Sequence, residues 1–182
     1  MRILLLTLLI SLSLLSGFGA PSEDSAGDLA LGIIKVAPSG SIRVSIRNGS
    51  NKGTRIWKEA NSWGAAHWRV LVIRKGQEQL FYQNPNQGFT VNFPQFKEIP
   101  PGGQIDQILD LNGGDWCGFG HCSPYNERGF GGKQVGFESG DLIIVLYDVP
   151  KIYSLGSQLD VQASDLKVWY GVLAASTTGL GR

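Results

Sequence analysis

Apolar and polar residues alternate along much of this chain with a period of two. The clearest case is the segment 41–47, whose apolar members are Ile42, Val44 and Ile46 and whose intervening positions are polar or charged. Because successive side chains of a strand point to opposite faces, this pattern predicts a half-buried β-strand. Three branched apolar side chains are expected in the core, with the charges in water.

The other strand signals are short and are separated by residues typical of turns. Further strands are predicted over residues 31–36, 67–74, 79–83, 89–93, 105–111, 142–148 and 166–173. The segment 142–148 is the most hydrophobic and is expected to be central, while 67–74 is apolar on both faces. No apolar pattern at helical spacing lasts for three turns. Eight or nine strands joined by turns predict an all-β fold, an antiparallel β-sandwich.

The amino terminus follows a different pattern. Arg2 precedes an apolar run over residues 3–15, and small residues then lead to Pro21. This arrangement is typical of a secretory signal peptide, and the run is shorter than the roughly 20 apolar residues of a membrane-spanning helix. We expect a secreted or periplasmic protein with no membrane insertion after signal removal. The predicted organisation is a signal peptide at 1–20, a linker at 21–29, a sandwich domain at 30–175 and a flexible tail at 176–182.

Charge and histidine content narrow the possible functions. Removing residues 1–20 takes away Arg2 and no acid, so the 16 basic residues become 15 against 15 acidic ones. A near-neutral chain argues against nucleic acid as a partner, since nucleic-acid binding needs a basic surface. The chain has two histidines, and neither lies in a recognisable nucleophile motif. We therefore expect a protein that is not an enzyme and that needs no cofactor.

Two cysteines lie close together. Cys117 and Cys122 are separated by four residues, two of them glycines. In an exported protein this spacing predicts a disulfide that fixes one loop. A metal site with His121 as third ligand is the other interpretation, but no nearby residue completes a tetrahedral set.

The segment 112–140 is rich in glycine and aromatic residues yet has little strand pattern. Long loops in compact domains are commonly functional, and the cysteine pair favours an ordered loop. We therefore take this segment as the preferred surface for function. Its candidate binding residues are Trp116, Phe119, His121, Tyr125 and Phe130.

Several segments together resemble the immunoglobulin-like sandwich domains of the intracellular proteinase inhibitor type and related secreted domains. The segments that carry this resemblance are residues 44–50, 68–72, 96–111 and 168–173. The resemblance implies an immunoglobulin-like sandwich. The chain departs from antibody-type domains in having no distant cysteine pair to join two sheets.

A second resemblance concerns one loop. The segment 84–89 is similar to the Asn-Pro-x-x-Gly-aromatic loop of chagasin-type cysteine-protease inhibitors, and 129–132 is a loose counterpart of their glycine-rich loop. The Arg-Pro-aromatic loop of those inhibitors is missing, and a plain turn between strands is the alternative. The resemblance adds four candidate binding residues, which are Asn84, Pro85, Gly88 and Phe89.

These observations predict a secreted, non-catalytic domain that binds an extracellular protein through its loops, with protease inhibition as the most concrete form. The alternative is a carbohydrate-binding module in which Trp57, Trp63 or Trp116 stacks on sugar rings, although tryptophans that cover the end of a sandwich would show the same positions. The sequence Asn48-Gly49-Ser50 is also an N-glycosylation sequon.

Overall fold

The computed structural model describes residues 29–59, 63–64, 66–84, 94–113, 116–118, 121–122, 134–154 and 160–178. Within these ranges the chain forms strands and turns and no helix. The strands are β1 (Leu29–Ala37), β2 (Ser41–Asn48), β3 (Thr54–Trp57), β4 (Trp68–Arg74), β5 (Gln77–Gln83), β6 (Phe96–Ile99), β7 (Gln104–Asp110), β8 (Trp116–Gly118), β9 (His121–Cys122), β10 (Leu142–Val149), β11 (Ile152–Ser154), β12 (Asp160–Gln162) and β13 (Gly171–Thr178).

Two main sheets form an antiparallel β-sandwich. One sheet has six strands in the order β13-β10-β4-β5-β8-β9, and the other has three in the order β1-β2-β7. Two small pairs, β3 with β6 and β11 with β12, complete the fold. Every described strand pair is antiparallel. The predicted all-β sandwich is therefore confirmed.

The core lies between the inward faces of the two main sheets. Ile42, Val44 and Ile46 of β2 are almost completely buried, as the alternation in the sequence predicts. On the six-stranded sheet the buried side chains include Phe81 of β5, Trp116 and Cys117 of β8, and the alternate residues of β4 and β10, namely Trp68, Val70, Val72, Ile143, Val145, Tyr147 and Val149. Because both central strands bury every second residue, the register of each is fixed by the core.

The closing strand differs from the prediction. The segment predicted as a strand over 166–173 begins with a turn, in which the Val168 amide donates to the Ala163 carbonyl at 3.0 Å. Trp169 is buried, and its amide donates to the Arg55 carbonyl at 2.9 Å. The apolar run therefore covers the end of the sandwich, and strand β13 begins only at Gly171 and includes residues 176–178 of the predicted tail.

Several short strands were not predicted. The pair β3–β6 has four residues in each strand, and β8, β9, β11 and β12 are shorter still. Strands of this length show too few alternations for a period to be recognised. The strand predicted over 89–93, like the signal peptide and most of the linker, lies outside the described residues. In the described ranges, no helix is long and apolar enough to cross a membrane.

Candidate functional site

The two ends of the sandwich are built differently. At one end, β4 and β5 are joined by a two-residue turn in which Lys75 and Gly76 have φ angles of 50° and 78°. Arg74 holds the segment 136–141 there. Its guanidinium donates to both carboxylate oxygens of Asp141, at 2.8 and 2.7 Å, and to the Gly136 carbonyl at 2.7 Å. The bidentate contact lowers the pKa of Asp141. We call this the tight-turn end, and its contacts are structural.

The opposite end is where β4 begins and where β5, β9 and β10 end. Gln83 pairs with Trp116, and Cys117 pairs with both Tyr82 and Cys122. Strands β5 and β9 therefore lie on either side of β8, run in the same direction and both end here. The connection that follows β10 leaves from the same side, since Tyr147 of β10 pairs with Trp68 at the start of β4.

Aromatic side chains fill this end of the molecule. Trp57 stacks on Trp63 with ring centroids 5.4 Å apart, and the rings of Phe96 and Tyr153 lie 5.1 and 5.3 Å from Trp57. The contacts continue inward through the rings of His67, Tyr147, Trp68 and Trp169. Edge-on and offset ring pairs at these separations add to the stability gained by burial. We call this the aromatic end.

Two titratable groups are held inside the aromatic end. His67 is buried, and its Nε2 lies 3.1 Å from the Tyr153 hydroxyl, with which it shares a hydrogen bond whose direction depends on the ring tautomer. Its Nδ1 is buried with no hydrogen-bond partner among the described residues. Burial lowers the pKa of His67 to about 4, with a smaller contribution from the Arg69 charge. The ring is therefore neutral at neutral pH.

Glu59 is the second of these groups. Its Oε1 accepts a hydrogen bond of 2.9 Å from the Trp68 indole Nε1, and burial raises the pKa of the carboxyl. Burial likewise raises the pKa of the Tyr147 and Tyr153 hydroxyls, so both remain protonated near neutral pH. The aromatic end thus holds a neutral imidazole, two protonated phenols and one carboxyl of raised pKa among its rings.

The residues predicted as binding candidates fall into two groups. Asn84 follows β5 directly, and Trp116 begins β8 with its side chain 4% exposed. His121 is placed by the backbone of β9 opposite Gly118. The other candidates lie outside the described residues, and they are Pro85, Gly88, Phe89, Phe119, Tyr125 and Phe130.

The tryptophans suspected of stacking on sugars are core residues. Trp57, Trp63 and Trp116 are at most 8% exposed, and all three belong to the hydrophobic core cluster. A sugar ring needs an open indole face, which these side chains do not offer. These tryptophans cover the end of the sandwich, as the other interpretation of their positions predicts.

The cysteine pair sits at the edge of the six-stranded sheet. Cys117 is buried and lies directly opposite Cys122 in the antiparallel pair β8–β9. Directly opposite residues have Cα atoms about 4.5 to 5.5 Å apart, within the range that a disulfide spans. Among the described residues no cysteine is free, and no group of three or more potential metal ligands is present.

Glu59, His67 and Tyr153 were not singled out as a cluster from the sequence. Glu59 and His67 belong to the connection between β3 and β4, whereas Tyr153 belongs to β11 and meets them only in the folded sandwich. The available signal for this cluster was the closeness of titratable residues to tryptophans in the sequence, since His67 precedes Trp68 and Glu59 follows Trp57 by two residues.

The comparisons with known proteins add no relative. No protein-family model, no curated protein and no solved structure matches this chain.

Proposed function

We propose that this protein is a secreted, non-catalytic binding domain that engages an extracellular protein through the connections at its aromatic end. Protease inhibition is the most concrete form of this function. The observation that supports it is the shared origin of two candidate loops. Gln83 and Cys122, after which the two segments begin, end strands β5 and β9, which flank β8 and run to the same end of the sheet.

The support beneath these loops favours tight binding. A loop that is held in its bound shape loses less conformational entropy on association, so rigid anchoring improves affinity. The indole of Trp116 is buried at the start of β8, and the Trp68 amide, 3.3 Å from Gln83 Oε1, donates to that oxygen. The second contact holds the end of β5, from which one candidate loop emerges, and the first fixes the start of β8, which pairs with that end.

A disulfide between Cys117 and Cys122 is part of the proposal. It would join β8 to β9 at the point where the second candidate loop begins. The bridge closes a short loop, so its expected role is local restraint, with little effect on global stability. Titration of the native protein with a thiol reagent tests it: we expect no reactive thiol before reduction and two after, and two reactive thiols in the unreduced native protein would contradict it.

Inhibition assays against papain-like and subtilisin-like proteases test the function. The full sequence is expressed in a secreting host, and the purified chain is checked for intactness after each assay. We expect stoichiometric inhibition of at least one protease with the chain uncleaved. The paired variants Phe89→Ala and Phe130→Ala, in the two candidate loops, should each raise the inhibition constant at least tenfold.

Lys75→Asn is the matched control, since it lies at the tight-turn end and asparagine tolerates the positive φ of that position. It should leave inhibition unchanged. Inhibition lost equally in Lys75→Asn would contradict the assignment to the aromatic end. No inhibition of either protease class would reject the inhibitor form of the function.

A further inference from the structure

The two main sheets differ in what they present on their outer faces. On the three-stranded sheet, the outer face of β2 and β7 is polar and includes an ion pair between Arg43 and Asp106 at 2.6 Å. On the six-stranded sheet, the outer face is apolar at its centre. We define this apolar face by Leu71, Ile73, Leu80, Leu142, Ile144 and Leu146.

None of these six side chains belongs to the core cluster or packs against it, and all but Leu80 are partly buried within the sheet. Leu80 is 48% exposed, and beside the six lie Tyr82 at 37% and Val172 at 51%. Strands that are apolar on both faces are characteristic of sheets covered on both sides. Antiparallel sheets that face water on one side alternate apolar and polar residues, as β2 does. The apolar face therefore has the composition of a covered surface.

The strand register gives the face a simple layout. Its middle row is formed by Leu80, Leu71 and Ile144, which are direct neighbours across β5, β4 and β10. Towards the tight-turn end, Glu78 stands beside Ile73. Towards the aromatic end, Arg69 stands beside Leu146.

The rim of the face carries a carboxylate at one end and, at the other, a guanidinium that is paired with Asp148. Arg69 forms an ion pair of 3.0 Å with Asp148, and both are partly exposed. Glu78, at the other end of the face, is exposed. Turning a second copy by 180° about the middle row brings its Glu78 end over the Arg69 end of the first. The whole chain has a formal net charge of only +1, so two copies repel each other little.

The size of the face suits a weak, specific contact. Together with its polar rim, the face extends over the four strands β5, β4, β10 and β13, which lie about 4.8 Å apart, are about eight residues long at about 3.4 Å per residue, and present a projected area of about 500 Å². Two such faces bury about 1,000 Å² together, which is close to the lower limit for a specific interface between proteins.

We propose that the apolar face is the interface of a symmetric homodimer, in which a second copy of this chain packs its own apolar face against it. The two-fold axis passes through the row of Leu80, Leu71 and Ile144, so each of these residues meets its own copy. The sheets stack face to face as the two sheets of a sandwich do. This interface lies away from the aromatic end and does not depend on the proposed function.

Sedimentation equilibrium of the secreted full chain over a wide concentration range tests the dimer. We expect a monomer–dimer equilibrium with a dissociation constant in the micromolar range. Leu80→Glu places two like charges together at the axis and should raise that constant at least tenfold. Val172→Glu, at a position 51% exposed on the rim, serves as a second variant should Leu80→Glu fail to fold.

Ile108→Glu is the matched control, because Ile108 is 65% exposed on the outer face of the three-stranded sheet. It should leave the dissociation constant unchanged. Charge reversal adds a specific check: Glu78→Arg should weaken the dimer, and adding Arg69→Glu to it should restore association.

Three outcomes would overturn the proposal. They are a monomer at every concentration, equal weakening by Ile108→Glu and Leu80→Glu, and assembly beyond a dimer. A monomer that retains a different extracellular protein on the same face would assign the face to that protein instead. Loss of the dimer would leave the protease assays unaffected, so the two proposals fail independently.

Discussion

At the scale of single residues, the Asn48 side chain links three segments of the sandwich. Its Nδ2 donates to the carbonyls of Lys52 at 2.7 Å, Ile99 at 3.0 Å and Pro100 at 3.3 Å, and its Oδ1 accepts from Ser50. The residue is fully buried. Glycosylation attaches sugar to this same nitrogen, so the folded protein has no room for a glycan at the sequon.

We therefore expect the chain secreted from a glycosylating host to carry no glycan at Asn48, as measured by intact mass. Asn48→Asp replaces the donor with a carboxylate facing several carbonyl oxygens, and should lower the free energy of unfolding by about 3 kcal/mol or more. Ser50→Ala also removes the sequon but should cost only about 1 kcal/mol. A mass decrease of one glycan in Ser50→Ala would contradict the burial argument.

His67 makes the stability of the folded protein depend on pH. Its pKa is about 4 in the folded state against an ordinary value of 6.5. Between these values the unfolded chain binds a proton that the folded chain does not, so stability falls as the pH is lowered from 6.5 towards 4. The size of the shift corresponds to about 3 kcal/mol over the whole window.

Urea unfolding at about pH 7 and about pH 4.5 measures this effect. The wild-type chain should lose stability on acidification, and His67→Gln should lose clearly less. Glu59 acts in the opposite sense, because its raised pKa favours the folded state at lower pH. Glu59→Gln should therefore steepen the loss. An identical pH dependence in His67→Gln and wild type would show that this imidazole is not the source.

At the scale of elements, the sequence best predicted the strands that bury every second residue, such as β2, β4 and β10. Strand β2 alternates because only its inner face is apolar, whereas the apolar run of β10 is unbroken because its outer face is apolar as well. The run Val168 to Tyr170 has the same composition as a strand. Its backbone instead lies between the turn at 163–167 and the start of β13, and its side chains cover the end of the core. Only contacts from elsewhere in the chain, such as the Arg55 carbonyl, distinguish the two cases.

The candidate site was less predictable than the sheets for the same reason. Glycines and cysteines in the sequence indicated a loop near Cys117, and the register places the end of β9, after which that loop continues, at the same end of the sheet as the end of β5. The hydrogen bonds between His67 and Tyr153 and between Glu59 and Trp68 join the connection that follows β3 to strands β11 and β4. No local pattern encodes such contacts, since they arise when the ends of several strands converge. The immunoglobulin-like strand order stays a prediction.

At the scale of the whole molecule, the polar outer face of one sheet and the apolar outer face of the other give the sandwich two unequal sides. A dimer formed through the apolar face is linked to unfolding, because association stabilises only the folded chain. The melting temperature should then depend on protein concentration. For a domain of this size, a hundredfold increase in concentration above the dissociation constant should raise it by about 3 °C.

Calorimetry of the secreted chain at low and high concentration checks this expectation. Leu80→Glu should melt at the same temperature at both concentrations, because its faces repel and it stays monomeric. Ile108→Glu, changed on the polar side, should shift with concentration as the wild type does. A melting temperature of the wild-type chain that stays constant over the hundredfold range would mean that the apolar face does not join two copies, and a shift that Leu80→Glu shares with it would place the contact elsewhere on the molecule.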